Sequence, residues 1–442
     1  MQASLAIARN TVLAAFAALP DPTQMRDLMA DARAAEARGY YDAVEDERLR
    51  DHYARYLAQR FALWEAIDAA GLGFKRFRGR YDHLQPEALR AFAVAYAGAS
   101  IIVRSGEYLI DLAVDRDIVW QKLDEAEDRY GIPRKRFTRL FRQLTSAGRM
   151  RPYYAGRDYF DRNRDAVLAA VRDDPDLTAI LTSLNMPDAA RGDHLRRYGR
   201  FVRYQIRRNG WSAVRQLLFD AFESSGSAIA DMRIPLVKPP QAPKRMTADQ
   251  IARLRAVLRP GDVIVTRHDD ALSNLFLPGF WPHSALHVGA QSGWHPDHIM
   301  LEAKKDGVLM RAVEETLQVD SCVVLRPTLA PDQVAQAVER GLTHAGKLYD
   351  FVFDFGTSDR LVCTEVVYRS FHGVGPVNFR LDHLSGRYCL SAEALLNQGI
   401  GAGWFEVVAL CNVGGTAWRE GGAARTGLHE SFAATFAAQA PY

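Results

Sequence analysis

The hydrophobic period of this chain changes at Pro260-Gly261, and one kind of secondary structure cannot serve both sides of that change. Before it, apolar residues recur every three or four positions. In 45–70 they are Tyr53, Tyr56, Leu57, Phe61, Trp64 and Ile67, the stripe of an amphipathic helix that Gly71 and Gly73 would end. The same spacing predicts helices over 85–103, 107–130, 134–147, 155–172, 189–208 and 210–224. After Gly261 the pattern turns strand-like at 262–266, 283–289, 299–302, 308–311, 322–326 and 404–410, with helices expected at 331–345, 362–371 and 391–398. An all-helical part therefore precedes an α+β part with a mostly antiparallel sheet.

The two parts are joined by Ser224-Ser225-Gly226-Ser227 and then Pro235, Pro239, Pro240 and Pro243, an extended stretch that neither period can use. Thr247 and Gln250 stand as a capping box at the next helix. The expected organisation is a helical accessory domain over 1–235, a linker over 236–250, the α+β domain over 251–415, and a Gly/Ala-rich, loosely packed tail over 416–442.

Of the 442 residues, 48% are hydrophobic and 25% charged, the balance of a globular protein with real cores. The net charge of +3 is too small to imply nucleic acid, although residues 1–250 are net positive and the rest net negative. Two basic rows account for much of this. Arg134, Lys135, Arg136, Arg139 and Arg142 lie on 134–142. Arg196, Arg197, Arg200, Arg203, Arg207 and Arg208 lie on 196–208, interleaved with Tyr198, Phe201 and Tyr204. Such rows serve an anionic partner such as phospholipid headgroups, or are solvated faces balanced by acids such as Asp124, Glu125, Glu127 and Asp128. No helix-turn-helix or zinc finger accompanies them, so there is no strong nucleic-acid signal.

Cys322, Cys363, Cys389 and Cys411 are too few for a disulfide framework, and their spacing fits no zinc motif. Reduced thiols and a cytoplasmic location are expected. The apolar run at 11–19 has only Arg9 ahead of it and reads as a helix rather than a signal peptide. The run at 91–103 falls short of the ~18 residues that span a bilayer. His295-Pro296-Asp297-His298 lacks a closed ligand set, so neither metal nor cofactor is expected.

Cys363 falls at the expected start of a helix, where unpaired N–H groups and the positive end of the backbone dipole favour a thiolate. His283 opens the expected strand in Trp281-Pro282-His283-Ser284-Ala285-Leu286-His287-Val288-Gly289. A hairpin turning near Ser292-Gly293 would set His283 opposite Glu302, a carboxylate able to orient the imidazole. His287 shares the parity of His283, so the pleat alone leaves both open.

Several ordered motifs resemble the YiiX/YebB-like cysteine hydrolases, the circularly permuted branch of the NlpC-type papain-like superfamily. They are Arg259-Pro260-Gly261-Asp262-Val263-Ile264-Val265-Thr266-Arg267, Leu272-Ser273-Asn274, Pro278-Gly279-Phe280 running into Trp281–Gly289, Leu301-Glu302-Ala303 with Gly307-Val308, Tyr349-Asp350, and Val362-Cys363-Thr364-Glu365. The likeness covers about 255–411, and the order, histidine before cysteine, is the permuted one. The resemblance implies a permuted papain-like fold with Cys363 as nucleophile, His283 as base and Glu302 as orienting residue. Trp281, His287 and Tyr349 would border the substrate. Cys363-Thr364 replaces the family's usual Cys-Ser. The expected activity is hydrolysis of an amide, ester or thioester in a small lipid, peptide or aminoacyl substrate. Acyl transfer, or a vestigial domain serving a membrane- or nucleic-acid-binding module, are the other readings.

Overall fold

The computed structural model describes residues 2–70, 85–114, 116–183, 243–269, 280–351, 353–384 and 387–438. The chain divides into two compact units, Met1–Trp211 and Ser212–Tyr442. The helices expected at 189–208 and 210–224, the second basic row, most of the linker, Gly71, Gly73, Leu272-Ser273-Asn274 and Pro278-Gly279 all lie outside the described residues.

The first unit is helical where described: α1 Gln2–Ala17, α2 Pro22–Arg38, α3 Ala43–Ala69, α4 Pro86–Ala113, α5 Asp117–Leu123, α6 Arg136–Thr145, α7 Ala147–Arg162, α8 Arg164–Ala170 and α9 Pro175–Ser183. Asp42 opens α3 with a complete capping box closed by Glu45. A break was expected near residue 104, but α4 runs on to Ala113. The polar interruption there is absorbed. Ser105 Oγ bonds back to Ile101 O at 2.7 Å, and Gly106 leaves room for Leu144, which any Cβ would strike. By length and composition α4 could cross a membrane; 67% of its most apolar window is buried within the unit.

On α6, Phe137, Leu140, Phe141 and Leu144 enter the core while Arg136, Arg139 and Arg142 are exposed. Three of the acids expected to balance this row make buried bonds of their own. Asp124 accepts the Thr138 N–H at 2.8 Å, Glu125 and Glu127 both pair with the buried Arg50, and Lys122 lies 3.2 Å from Asp46 and 3.3 Å from Glu125.

The second unit begins with α10, Ala248–Val257, whose capping box joins Thr247 to Gln250 as expected. Seven strands follow in one antiparallel sheet ordered β11-β10-β5-β1-β2-β3-β4. They are β1 Val263–Arg267, β2 His283–His287, β3 His298–Lys304, β4 Gly307–Ala312, β5 Ser321–Pro327, β10 Phe405–Val413 and β11 Thr416–Glu420. Two small pairs stand apart: β6 Leu348–Tyr349 with β7 Arg360–Leu361, and β8 Asp382–Leu384 with β9 Arg387–Cys389. Helices α11 Val313–Thr316, α12 Pro331–Leu342, α13 Cys363–Phe371, α14 Ala392–Gly401 and α15 Gly421–Ala438 complete it.

The loose tail expected after residue 415 is corrected. Gly414 and Gly415 both take left-handed backbone (φ 58° and 72°), which turns the chain into a hairpin, so β11 pairs along β10. α15 follows and buries Ala424, Leu428 and Ser431. The glycines are turn residues rather than a sign of disorder.

α13 reaches the sheet through a close approach at Gly341 of α12. A Cβ there would stand 2.7 Å from Ser370 Oγ on α13 and 2.8 Å from Leu286 Cδ2 on β2. Gly341→Ala is expected to destabilise the unit by about 1–3 kcal/mol through overpacking, despite the better helix propensity of alanine. A urea titration of the full chain checks this, and an unchanged or raised midpoint would refute it.

Candidate active site

β2 lies between β1 and β3, and its first residue, His283, is the direct partner of Thr266. The β2–β3 register pairs Leu286 with Leu301 and His287 with Met300. It is two residues away from the facing expected in the sequence, because the connection bends at both Gly289 (φ 73°) and Gly293 (φ 86°). Continued along the strands, this register sets Glu302 opposite Ala285 and diagonal to His283. The diagonal suffices: His283 Nε2 and Glu302 Oε1 are 2.7 Å apart.

Cys363 is the first residue of α13. His283 and the backbone N–H groups of Ser284 and Thr364 all act on its sulfur and favour the thiolate. With Nε2 turned to Glu302, Nδ1 is the ring nitrogen left for the sulfur. The set is enclosed: Cys363 is 3% and Glu302 1% exposed, while the His283 side chain keeps 21% open to solvent.

Each of the three groups is held charged against its burial. Burial raises the Cys363 thiol, but the His283 charge, its hydrogen bond and the two backbone N–H groups outweigh it, and the thiol titrates below its ordinary range. Burial lowers His283, yet Cys363 and Glu302 together raise it to about 10. Burial raises Glu302, but His283 and Lys304 pull it down to about 2. The outer oxygen, Oε2, takes the Thr316 hydroxyl at 3.1 Å and Lys304 Nζ at 3.0 Å, with Arg311 Nε at 3.5 Å. All three shifts run in the direction that favours a thiolate, an imidazolium and a carboxylate.

The elements beneath the cysteine are braced. Arg369 Nε pairs with Glu365 at 2.8 Å inside α13, and its Nη2 reaches both Phe355 O and Thr357 O, which fixes the loop leading into β7. Tyr349 pairs with Leu361, two residues before Cys363. Burial, the Cys363 charge and Asp350 push its phenol up. Phe351 and Phe353 sit edge-on to it with centroids at 5.0 and 6.2 Å.

Two residues expected to border the substrate, Trp281 and His287, are buried. Trp281 is fully buried, with its indole N–H donated to Ser431 Oγ at 3.0 Å, so it is core. His287 lies roughly 13 Å along the strand from His283. It is buried beside Asp262 and the Arg259 backbone, and burial lowers its pKa. Asp297 of the His295–His298 stretch pairs with Arg255 at 2.6 Å. Among the described residues no three His, Cys, Asp or Glu side chains gather as a metal site. Sequence reasoning missed Ser284, Thr316, Lys304 and Arg311. Only Lys304, two residues beyond Glu302 on the same strand face, had a signal in its spacing.

Iodoacetamide is expected to modify Cys363 near neutral pH well before the fully buried Cys322 and Cys411, and peptide mass mapping reads the order. Labelling of all three at one rate would remove the activated thiolate. Glu302 has a depressed folded value, so its stabilisation is present above its unfolded value of about 4.5 and is lost as pH falls toward about 2. Glu302→Gln should therefore flatten the acid-side loss of the urea midpoint in that window.

Residues 257–393 match the family model described as permuted papain-like amidase enzyme, YaeF/YiiX, C92 family. No curated protein and no solved structure matches the chain. The histidine-first order and the antiparallel sheet agree with that match, and His283, Glu302 and Cys363 all lie within the segment that is similar to the permuted papain-like YaeF/YiiX family.

Proposed function

We propose that the second unit hydrolyses an amide bond through an acyl-enzyme on Cys363. The observation that supports this most directly is the continuous Glu302–His283–Cys363 hydrogen-bonded set at the first turn of α13. In this reading the Cys363 thiolate attacks the carbonyl carbon and a C–S bond forms. The oxyanion is met by the backbone N–H of Cys363 at the start of α13, since the N–H groups of Glu365 and Val366 already bond to Val362 O, and by the Tyr349 hydroxyl. The imidazolium Nδ1–H then passes its proton to the leaving nitrogen as the C–N bond breaks. A water molecule gives its proton to the now neutral His283, its oxygen attacks the thioester, and the acid departs with the thiolate–imidazolium pair restored. Glu302 stays ionised throughout and holds the ring.

A small acyl-amide fits this chemistry, with a lipid, peptide or aminoacyl group on the carbonyl side; esters and thioesters need the same steps. The test is a screen of acyl-amides with the full chain and its Cys363→Ala variant, combined with intact-mass detection of the acyl adduct. Wild type is expected to turn over at least one amide and to carry the acyl mass on Cys363, and Cys363→Ala to do neither. Glu302→Gln should retain the adduct while losing about 10²-fold or more in kcat/KM. Equal turnover by wild type and Cys363→Ala would sink the assignment.

A further inference from the structure

Glu302 stands between two cations. Its inner oxygen, Oε1, faces His283 Nε2 at 2.7 Å, and its outer oxygen, Oε2, faces Lys304 Nζ at 3.0 Å. The Thr316 hydroxyl on α11 and Arg311 on β4 complete the outer side. The two bases are not equivalent. Arg311 is shared with Asp306 and with Glu315, which lies 2.8 Å away, so much of its charge is already balanced. Lys304 ion-pairs with Glu302, and its side chain keeps 33% of its surface in solvent.

A carboxylate that binds one cation holds a second less firmly, and across a nearly dry group the competition is strong. The proposed reaction needs that moderation. His283 must keep its proton while the thiolate attacks, then give it up when the leaving nitrogen departs. A Glu302 that answered to His283 alone would favour the first step and hinder the second.

We propose that Lys304 is a positioning residue: by drawing on the outer oxygen of Glu302, it loosens the hold of the inner oxygen on the His283 imidazolium and so lets the proton pass to the leaving group. This rests on the Cys363–His283 reading above. The bond changes are unaltered: His283 Nδ1–H breaks, leaving-group N–H forms, and Lys304 keeps its own protons. The charged groups facing this line are Cys363 from α13, His283 from β2, Lys304 beside Glu302 on β3, and Arg311 from β4 with its partners Asp306 and Glu315. Removing one cation raises the proton affinity of His283, which Cys363 and Glu302 have already lifted to about 10 against the lowering effect of burial.

The test uses the full chain and its Lys304→Met and Lys304→Arg variants, and follows carboxymethylation of Cys363 by iodoacetate against pH. As an anion, iodoacetate reacts fastest with a thiolate beside an imidazolium, so the rate falls on the alkaline side as His283 loses its proton. In Lys304→Met that fall is expected about half to one pH unit higher at low salt, with a smaller displacement at high salt because Lys304 is partly exposed. In Lys304→Arg it stays within about 0.2 units of wild type, since charge and reach are kept. A merely structural loss would lower the rate without moving the alkaline fall upward. A fall that is unmoved or moved downward in Lys304→Met, with the wild-type fall present, overturns the Lys304 role and leaves the Cys363–His283 reading standing. Absence of an alkaline fall in wild type overturns both.

Discussion

The architecture of the second unit depends on keeping one carboxylate ionised where water scarcely reaches. Glu302 is almost fully enclosed, and an isolated charge in that position would take up a proton instead. It stays ionised because both oxygens are satisfied: His283 on one side, Thr316 and Lys304 on the other. Four separate elements must therefore converge on it: β2, β3, β4 through Arg311, and α11. A sheet that twisted or slipped by one residue would turn Glu302 to the opposite face and leave both the imidazole and the outer donors without a partner.

The cysteine side is built on different physics. Cys363 comes from a helix start, and its charge is met by backbone N–H groups and an imidazole rather than by another side-chain network. What makes this work is closeness: Gly341 lets α12 sit against α13 and β2, and the Glu365–Arg369 pair ties the loop before β7 to the same helix. The strand brings its own N–H, from Ser284, to the sulfur, so β2 supplies both the base and part of the thiolate's support.

Most of this architecture is legible in the sequence, and the exceptions have physical reasons. The change of period at Gly261, the capping box at Thr247 and each of the six expected strands correspond to elements of the structure. The convergence of Cys363, His283 and Glu302 follows the ordered motifs, although the β2–β3 register is two residues from the expected one. Strand parity survives a shift of two, which is why the wrong register still selected the right face. Trp281 misled because an aromatic beside a site residue looks the same whether it faces substrate or core, and only its bond to Ser431 tells them apart. Thr316 and Arg311 were silent because the groups around a buried carboxylate come from the neighbouring strand and helix rather than from local pattern. The tail misled because turn glycines resemble the composition of a loose end.

That tail has a consequence of its own. Ser431 on α15 takes the indole N–H of Trp281, and Trp281 stands two residues before His283. The last helix is thus tied to Trp281, just ahead of β2, across 150 positions of sequence. A change at Ser431 would therefore be felt first at Trp281, where the chain enters β2.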